Sequence, residues 1–147
     1  MASGRPDIQE TASAEATERA GAALAAELQP GDVVLVSGDL GTGKTTLVRG
    51  ALRALGVRGP VTSPTFVVGL LYEGTAGRVA HLDLYRLAGL GDEDPGLLDG
   101  YFGPDTVTFV EWPERAQAGE LPGERPVVAQ VALEHAGGDR RRVEVRR

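Results

Sequence analysis

The segment Gly38-Asp39-Leu40-Gly41-Thr42-Gly43-Lys44-Thr45 constrains this chain more than any other stretch. The apolar run Val33-Val34-Leu35-Val36-Ser37 precedes it, and Thr45 to Leu55 follows with helical spacing. The pattern G-x-x-x-x-G-K-T between a strand and a helix is a phosphate-binding P-loop. Polyphosphate has to be desolvated and then held by many donors at once. Gly38, Gly41 and Gly43 permit backbone conformations that aim successive N–H groups inward as an anion nest. A helix starting near Lys44 adds its positive end and its free N–H groups. Lys44 is then expected to bridge the β- and γ-phosphates, and the Thr45 hydroxyl to bind Mg²⁺. The expected cofactor-binding stretch is therefore Gly38, Asp39, Leu40, Gly41, Thr42, Gly43, Lys44, Thr45 and Thr46.

Composition narrows the nucleotide. Lys44 is the only lysine of the chain, and there is no asparagine. The guanine-specifying motif of P-loop GTPases needs Asn or Thr, then Lys, then Asp, and Lys44 is already committed. Adenine nucleotide is the expectation. The absence of cysteine excludes disulfides, zinc–thiolate sites and thiol catalysis, and two histidines far apart argue against a histidine metal cluster. A net charge of −6 argues against a free-standing nucleic-acid binder working through a basic surface. No apolar stretch reaches the roughly 18 residues of a membrane span, and no basic-then-apolar leader opens the chain. The expected location is soluble and cytoplasmic, with no membrane contact.

The 147 residues suit one domain. Residues 1–12 read as a loose, polar N-terminal tail, and 13–147 as a single α/β P-loop domain. Ser13 to Leu28 reads as an amphipathic helix with Ser13 at its N-cap. Val67 to Tyr72 and Arg78 to Asp83 read as strands joined by a short turn, which implies an antiparallel hairpin. Leu90 to Phe102 supports only a short helix. Thr106 to Val110 is a strand, and Pro126 to His135 with Arg141 to Arg147 forms a second hairpin. The expected fold is a mixed parallel and antiparallel central sheet flanked by helices.

An NTPase needs acids as well as a phosphate cradle. Ligands in open α/β sheets bind outside the carboxyl ends of the strands, and two acids close strands there: Asp83 and Glu111. Glu111 is assigned to Mg²⁺ with Thr45, and Asp83 to the positioning of water or metal, although either acid suits either task. Thr62-Ser63-Pro64-Thr65 reads equally as a switch segment whose hydroxyls sense a γ-phosphate or as a hydroxyl-rich turn.

Four segments, GDLGTGKTTLVRG (Gly38 to Gly50), TSPTF (Thr62 to Phe66), HLDLYRL (His81 to Leu87) and VEWPER (Val110 to Arg115), occur in this order. Together they make the chain resemble the TsaE (YjeE) family, ATPases of bacterial tRNA threonylcarbamoyladenosine synthesis. The resemblance spans Ser13 to Arg147, and DLYR followed by EWP is far more specific than a P-loop. It implies an ATPase serving TsaD-like and TsaB-like partners, which carry out the transfer onto tRNAs reading ANN codons, with tRNA contacted indirectly or weakly. It also implies ATP and Mg²⁺ as cofactors, and Lys44, Asp83 and Glu111 as the catalytic set. Ser63 and Thr65 fall in its switch-like loop, and Trp112 near the nucleotide or partner surface. Ala14, Thr17 and Arg141 fall near the adenine. Two departures stand out: Gly89 to Leu98 is richer in Gly and Pro than the family's glutamate-rich helix, and little chain follows the last strand.

Two other classes fit the same loop. A small metabolite kinase would need an acceptor pocket and an arginine-bearing lid, for which little chain remains. A non-hydrolytic adaptor would use ATP binding alone to order a loop for its partner. Phosphate release with and without partners separates the three.

Overall fold

The computed structural model describes residues 5–62, 68–85, 98–115 and 126–147. Its centre is a seven-stranded sheet of order β1-β7-β6-β2-β5-β4-β3. The strands are β1 (Asp7–Thr11), β2 (Val33–Gly38), β3 (Gly69–Glu73), β4 (Arg78–Asp83), β5 (Thr106–Glu111), β6 (Val127–His135) and β7 (Arg141–Arg146). Strands β6, β2, β5 and β4 run parallel, whereas the outer pairs β3–β4, β6–β7 and β1–β7 are antiparallel. The expected mixed sheet and both expected hairpins are present.

Hydrophobic pattern explains the order. Strand β5 is buried at every position and β2 is buried or nearly so, as central strands covered on both faces must be. Strand β6 alternates, with Ala129, Val131 and Leu133 inward and exposed neighbours between them.

Helices α1 (Ala14–Ala25) and α2 (Lys44–Ala54) share a core with one face of the sheet. Ser13 caps α1, its hydroxyl accepting from Ala16 N at 3.1 Å. Leu47, Val48, Ala51 and Leu52 of α2 pack with Val34, Val36 and Phe109 of the sheet. The two helices meet backbone to backbone: a Cβ built on Gly50 would lie 1.9 Å from Glu18 O, and one on Gly21 2.0 Å from Leu47 O. The opposite sheet face, Val33, Leu82 and Val110, packs with Leu98 and Phe102.

Three expectations change. Asp7 to Thr11, read as part of a loose tail, is strand β1 and pairs with β7 from Asp7↔Val145 to Thr11↔Arg141. Backbone bonding to β7 places it, with help from the Thr11–Thr17 hydroxyl contact at 2.7 Å. Helix α1 stops at Ala25, and Glu27 N and Leu28 N then donate to Leu24 O and Ala25 O in tighter turns. Of the short helix expected over Leu90 to Phe102, the described part holds a single 3-10 turn, Asp99–Tyr101. Among the described residues no helix is long and apolar enough to cross a membrane.

Candidate functional site

Strands β2, β5 and β4 deliver Gly38, Glu111 and Asp83 to the same edge of the sheet, because they are parallel and in register. Val36 pairs with Glu111, and Glu111 with Asp83. The loop from Gly38 to Thr45 passes over this edge into α2, whose N-cap Gly43 is left-handed (φ 96°) and makes no side-chain cap bond. Gly38 has φ 149°, and a Cβ there would meet Leu133 O at 2.6 Å and Thr42 Oγ1 at 2.7 Å. Only glycine suits that position on both counts. The Thr42 hydroxyl donates to Asp39 O at 2.8 Å and is spent on holding the loop's shape.

Lys44 is 5% exposed, and its ammonium donates to Gly38 O at 2.7 Å and Asp39 O at 2.9 Å. Its Nζ lies 4.1 Å from the centroid of the Trp112 ring, a cation–π geometry. Burial holds the Lys44 pKa below the ordinary lysine value, against the opposing pull of the Glu111, Asp83, Glu114 and Asp39 charges. Trp112 is the one non-glycine residue with positive φ (60°) among those described, and its N–H donates to Val36 O at 3.1 Å. Its ring stands 4.7 Å from that of Tyr85, centroid to centroid. A bulky residue in that backbone region carries strain of roughly 1–3 kcal/mol, and here it turns an aromatic face onto the lysine.

Glu111 is 2% exposed at the end of β5. Thr45 Oγ1 donates to its carboxylate, 3.0 Å from Oε2 and 3.2 Å from Oε1. His81 Nε2 lies 2.5 Å from Oε2. Asp83 stands across the register from Glu111 and its Oδ1 accepts from Tyr85 N at 3.0 Å. A cleft of about 350 Å³ opens over these groups, walled by the loop, Lys44, Thr45, Thr46, Asp83, Glu111, Trp112 and Arg141.

The remaining expectations divide. Ala14 and Thr17 line a smaller recess of about 70 Å³ that shares Gly43, Thr46 and Arg141 with the main cleft. Thr17 bonds through its hydroxyl to Thr11 Oγ1 (2.7 Å) and Ser13 O (3.2 Å), while its methyl approaches Gly43. It therefore offers an apolar surface and not a donor. Arg141 reaches from β7 to the loop, donating to Thr42 O at 3.1 Å and Gly41 O at 3.2 Å. Leu40 is 62% exposed at the loop's tip. Ser63 and Thr65 lie outside the described residues. His81 carries a contact to the acid that sequence reasoning did not assign. Its alternation with Asp83 along one strand face was the available signal, since side chains two apart share a face.

A strand ending in a glycine-rich loop, a lysine folded over that loop, and a hydroxyl paired with a strand-end carboxylate define a P-loop nucleotide-binding domain. The family model for "Threonylcarbamoyl adenosine biosynthesis protein TsaE" matches residues 11–143. This chain belongs to the TsaE family. Among its relatives, the tRNA threonylcarbamoyladenosine biosynthesis protein TsaE of Streptomyces coelicolor is 43% identical over 81% of this chain and 79% of that protein. The protein of the same description from Bacillus subtilis is 38% identical over 90% of this chain and 80% of its own length. The crystal structure of Bacillus subtilis YdiB superposes with a TM-score of 0.76 at 32% identity, covering 97% of this chain and 85% of that one.

Proposed function

We propose that this protein binds and hydrolyses ATP with Mg²⁺ in the cytoplasm, in the service of threonylcarbamoyladenosine formation on tRNAs reading ANN codons. The observation that carries the reading is the Thr45–Glu111 pair beneath the P-loop, with Lys44 beside it. Hydrolysis is expected to be slow in isolation and faster with TsaD-like and TsaB-like partners, which hold the transfer chemistry.

The residues present fit a magnesium–nucleotide pair. Mg²⁺ favours a few protein oxygens completed by phosphate oxygens and water. Thr45 Oγ1 and the Glu111 carboxylate supply such oxygens, and no cluster of three or more His, Cys, Asp or Glu suited to a metal occurs among the described residues. When bound, the cation would offset the charge that gathers on the phosphoryl oxygens. The chain's own part is positioning. The loop's glycines open the nest, and Lys44 exchanges its carbonyl partners for phosphate oxygens. Asp83, at the cleft wall, orients the attacking water. Trp112 shields the lysine from solvent, which strengthens its attraction to phosphate. Thr17 and Ala14 give the base an apolar resting surface.

The test is phosphate release by the purified protein, alone and with the TsaD-like and TsaB-like pair. Stimulation by the pair is the expected result. Phosphate transfer to a small acceptor, or binding without turnover in every mixture, would overturn the reading. Depletion in cells should remove threonylcarbamoyladenosine from tRNA hydrolysates.

A further inference from the structure

His81 lies behind the cleft, against Glu111 of its lining, without a role in the reading above. It lies within β4 at 0% exposure, in register with Leu70 of β3 and Phe109 of β5. Its Nδ1 is buried with no hydrogen-bond partner among the described residues. An orphaned polar atom in a core is a net cost, and an aliphatic side chain would fill the site without it. The remaining nitrogen makes one bond, to Glu111 Oε2 at 2.5 Å. That same oxygen accepts the Thr45 hydroxyl at 3.0 Å. A carboxylate offers only acceptors, so the bonding assigns a proton to Nε2.

The geometry follows from the sheet. His81 is paired with Phe109, and Asp83 with Glu111, so His81 and Glu111 are diagonal neighbours on one face of two parallel strands. The Glu111 side chain has three rotatable bonds and lines the cleft from a buried position. One Thr45 hydroxyl, within reach of both Oε1 (3.2 Å) and Oε2 (3.0 Å), cannot by itself fix the plane of the carboxylate. A second donor, on Oε2 from the neighbouring strand, can.

We propose that His81 is a positioning residue: its Nε2–H locks the Glu111 carboxylate so that Glu111 and Thr45 present a preformed oxygen pair to the cation accompanying the nucleotide. This rests on the reading of Glu111 and Thr45 as the magnesium pair. Hydrogen bonds to metal-ligating side chains are worth about 10- to 100-fold in metal affinity, which sets the size of the expected effect.

Three substitutions separate positioning from core filling. His81→Gln places an amide N–H near the position of Nε2, His81→Asn places it near Nδ1, and His81→Leu keeps only bulk. The readout is the free Mg²⁺ concentration at half-saturation of the Trp112 emission change, with nucleotide held in excess. Trp112 is the chain's sole tryptophan and lines the cleft. His81→Leu and His81→Asn should raise that concentration about 10- to 100-fold, and His81→Gln should restore most of it. Nucleotide affinity measured without Mg²⁺ should stay at the wild-type value in all three. If the Leu variant does not melt cooperatively, the Asn and Gln pair decides alone. Equal behaviour of Asn and Gln overturns the proposal. Glu111→Gln is the control: impaired magnesium dependence there, with none in the His81 variants, overturns the positioning role and leaves the site reading intact. A normal magnesium response in Glu111→Gln overturns both.

Discussion

Lys44 carries a positive charge into a place that disfavours it. Burial pulls its pKa down, and the nearby acids, with Glu111 and Asp83 foremost, pull it back. Its ammonium is held on the carbonyls of Gly38 and Asp39, at the entrance to the loop where a phosphate would lie. Replacing it removes ground-state attraction for phosphate. Lys44→Ala should therefore weaken nucleotide binding by at least about tenfold, since a charge-assisted hydrogen bond is worth about 1.5–3 kcal/mol; calorimetric titration reads this directly. Asp83→Ala should behave differently, because an acid that orients water acts mainly on the transition state. Its turnover should fall roughly 100-fold or more while binding changes little. Unchanged phosphate release in Asp83→Ala would remove it from the mechanism. The loop and lysine were legible because their spacing suits a phosphate, and Asp83 and Glu111 were picked out because they close strands; the structure brings them to one edge. His81 was less legible, since a lone histidine among Val79, Ala80 and Leu82 reads as core, and its partner is 30 positions away.

At the scale of elements, the packing of α1 on α2 depends on two residues with no side chain. Gly21 and Gly50 bring the helices so close that any Cβ would collide with backbone, which cannot rotate aside as a side chain can. Gly50→Ala improves intrinsic helix propensity by roughly 1 kcal/mol and should nonetheless destabilise the protein by about 1–3 kcal/mol, because overpacking dominates. Urea denaturation checks the sign: a raised midpoint would contradict the crossing. Because α2 begins at Lys44, the same substitution should also loosen the phosphate loop and weaken nucleotide binding. The helices themselves were legible from Ser13 and the apolar spacing, but the crossing was not, since glycine in a helix gives no hint of which backbone it admits. Strand β1 was hidden for a related reason. Its residues Asp7 to Glu10 are exposed and Ile8 is the only apolar one among them, so no hydrophobic alternation announces the strand. Only the pairing with β7 makes the segment a strand, and that partner lies at the far end of the chain.

Across the whole molecule, the first and last parts of the chain converge on the loop in the middle. Arg141, at the start of the last strand β7, donates to Thr42 O and Gly41 O through one side of its guanidinium. Its NH1 donates to Gly138 O at 2.7 Å and Arg140 O at 2.8 Å in the hairpin turn. One planar fork thus joins the β6–β7 turn to the phosphate loop, and it lines both the main cleft and the recess beside Ala14 and Thr17. Lysine has the charge but not the fork, so Arg141→Lys separates the two contributions. If the residue acts by bracing the loop, Arg141→Lys should lose nearly as much nucleotide affinity as Arg141→Ala. Each lost carbonyl contact is worth roughly 0.5–1.5 kcal/mol, so the two toward the loop predict a decrease of about 5- to 100-fold. Amide hydrogen exchange over 39–43 should accelerate in both variants before any nucleotide is added. If the residue acts as a point charge on the ligand, Arg141→Lys should bind almost as the wild type does, and exchange in the loop should stay unchanged.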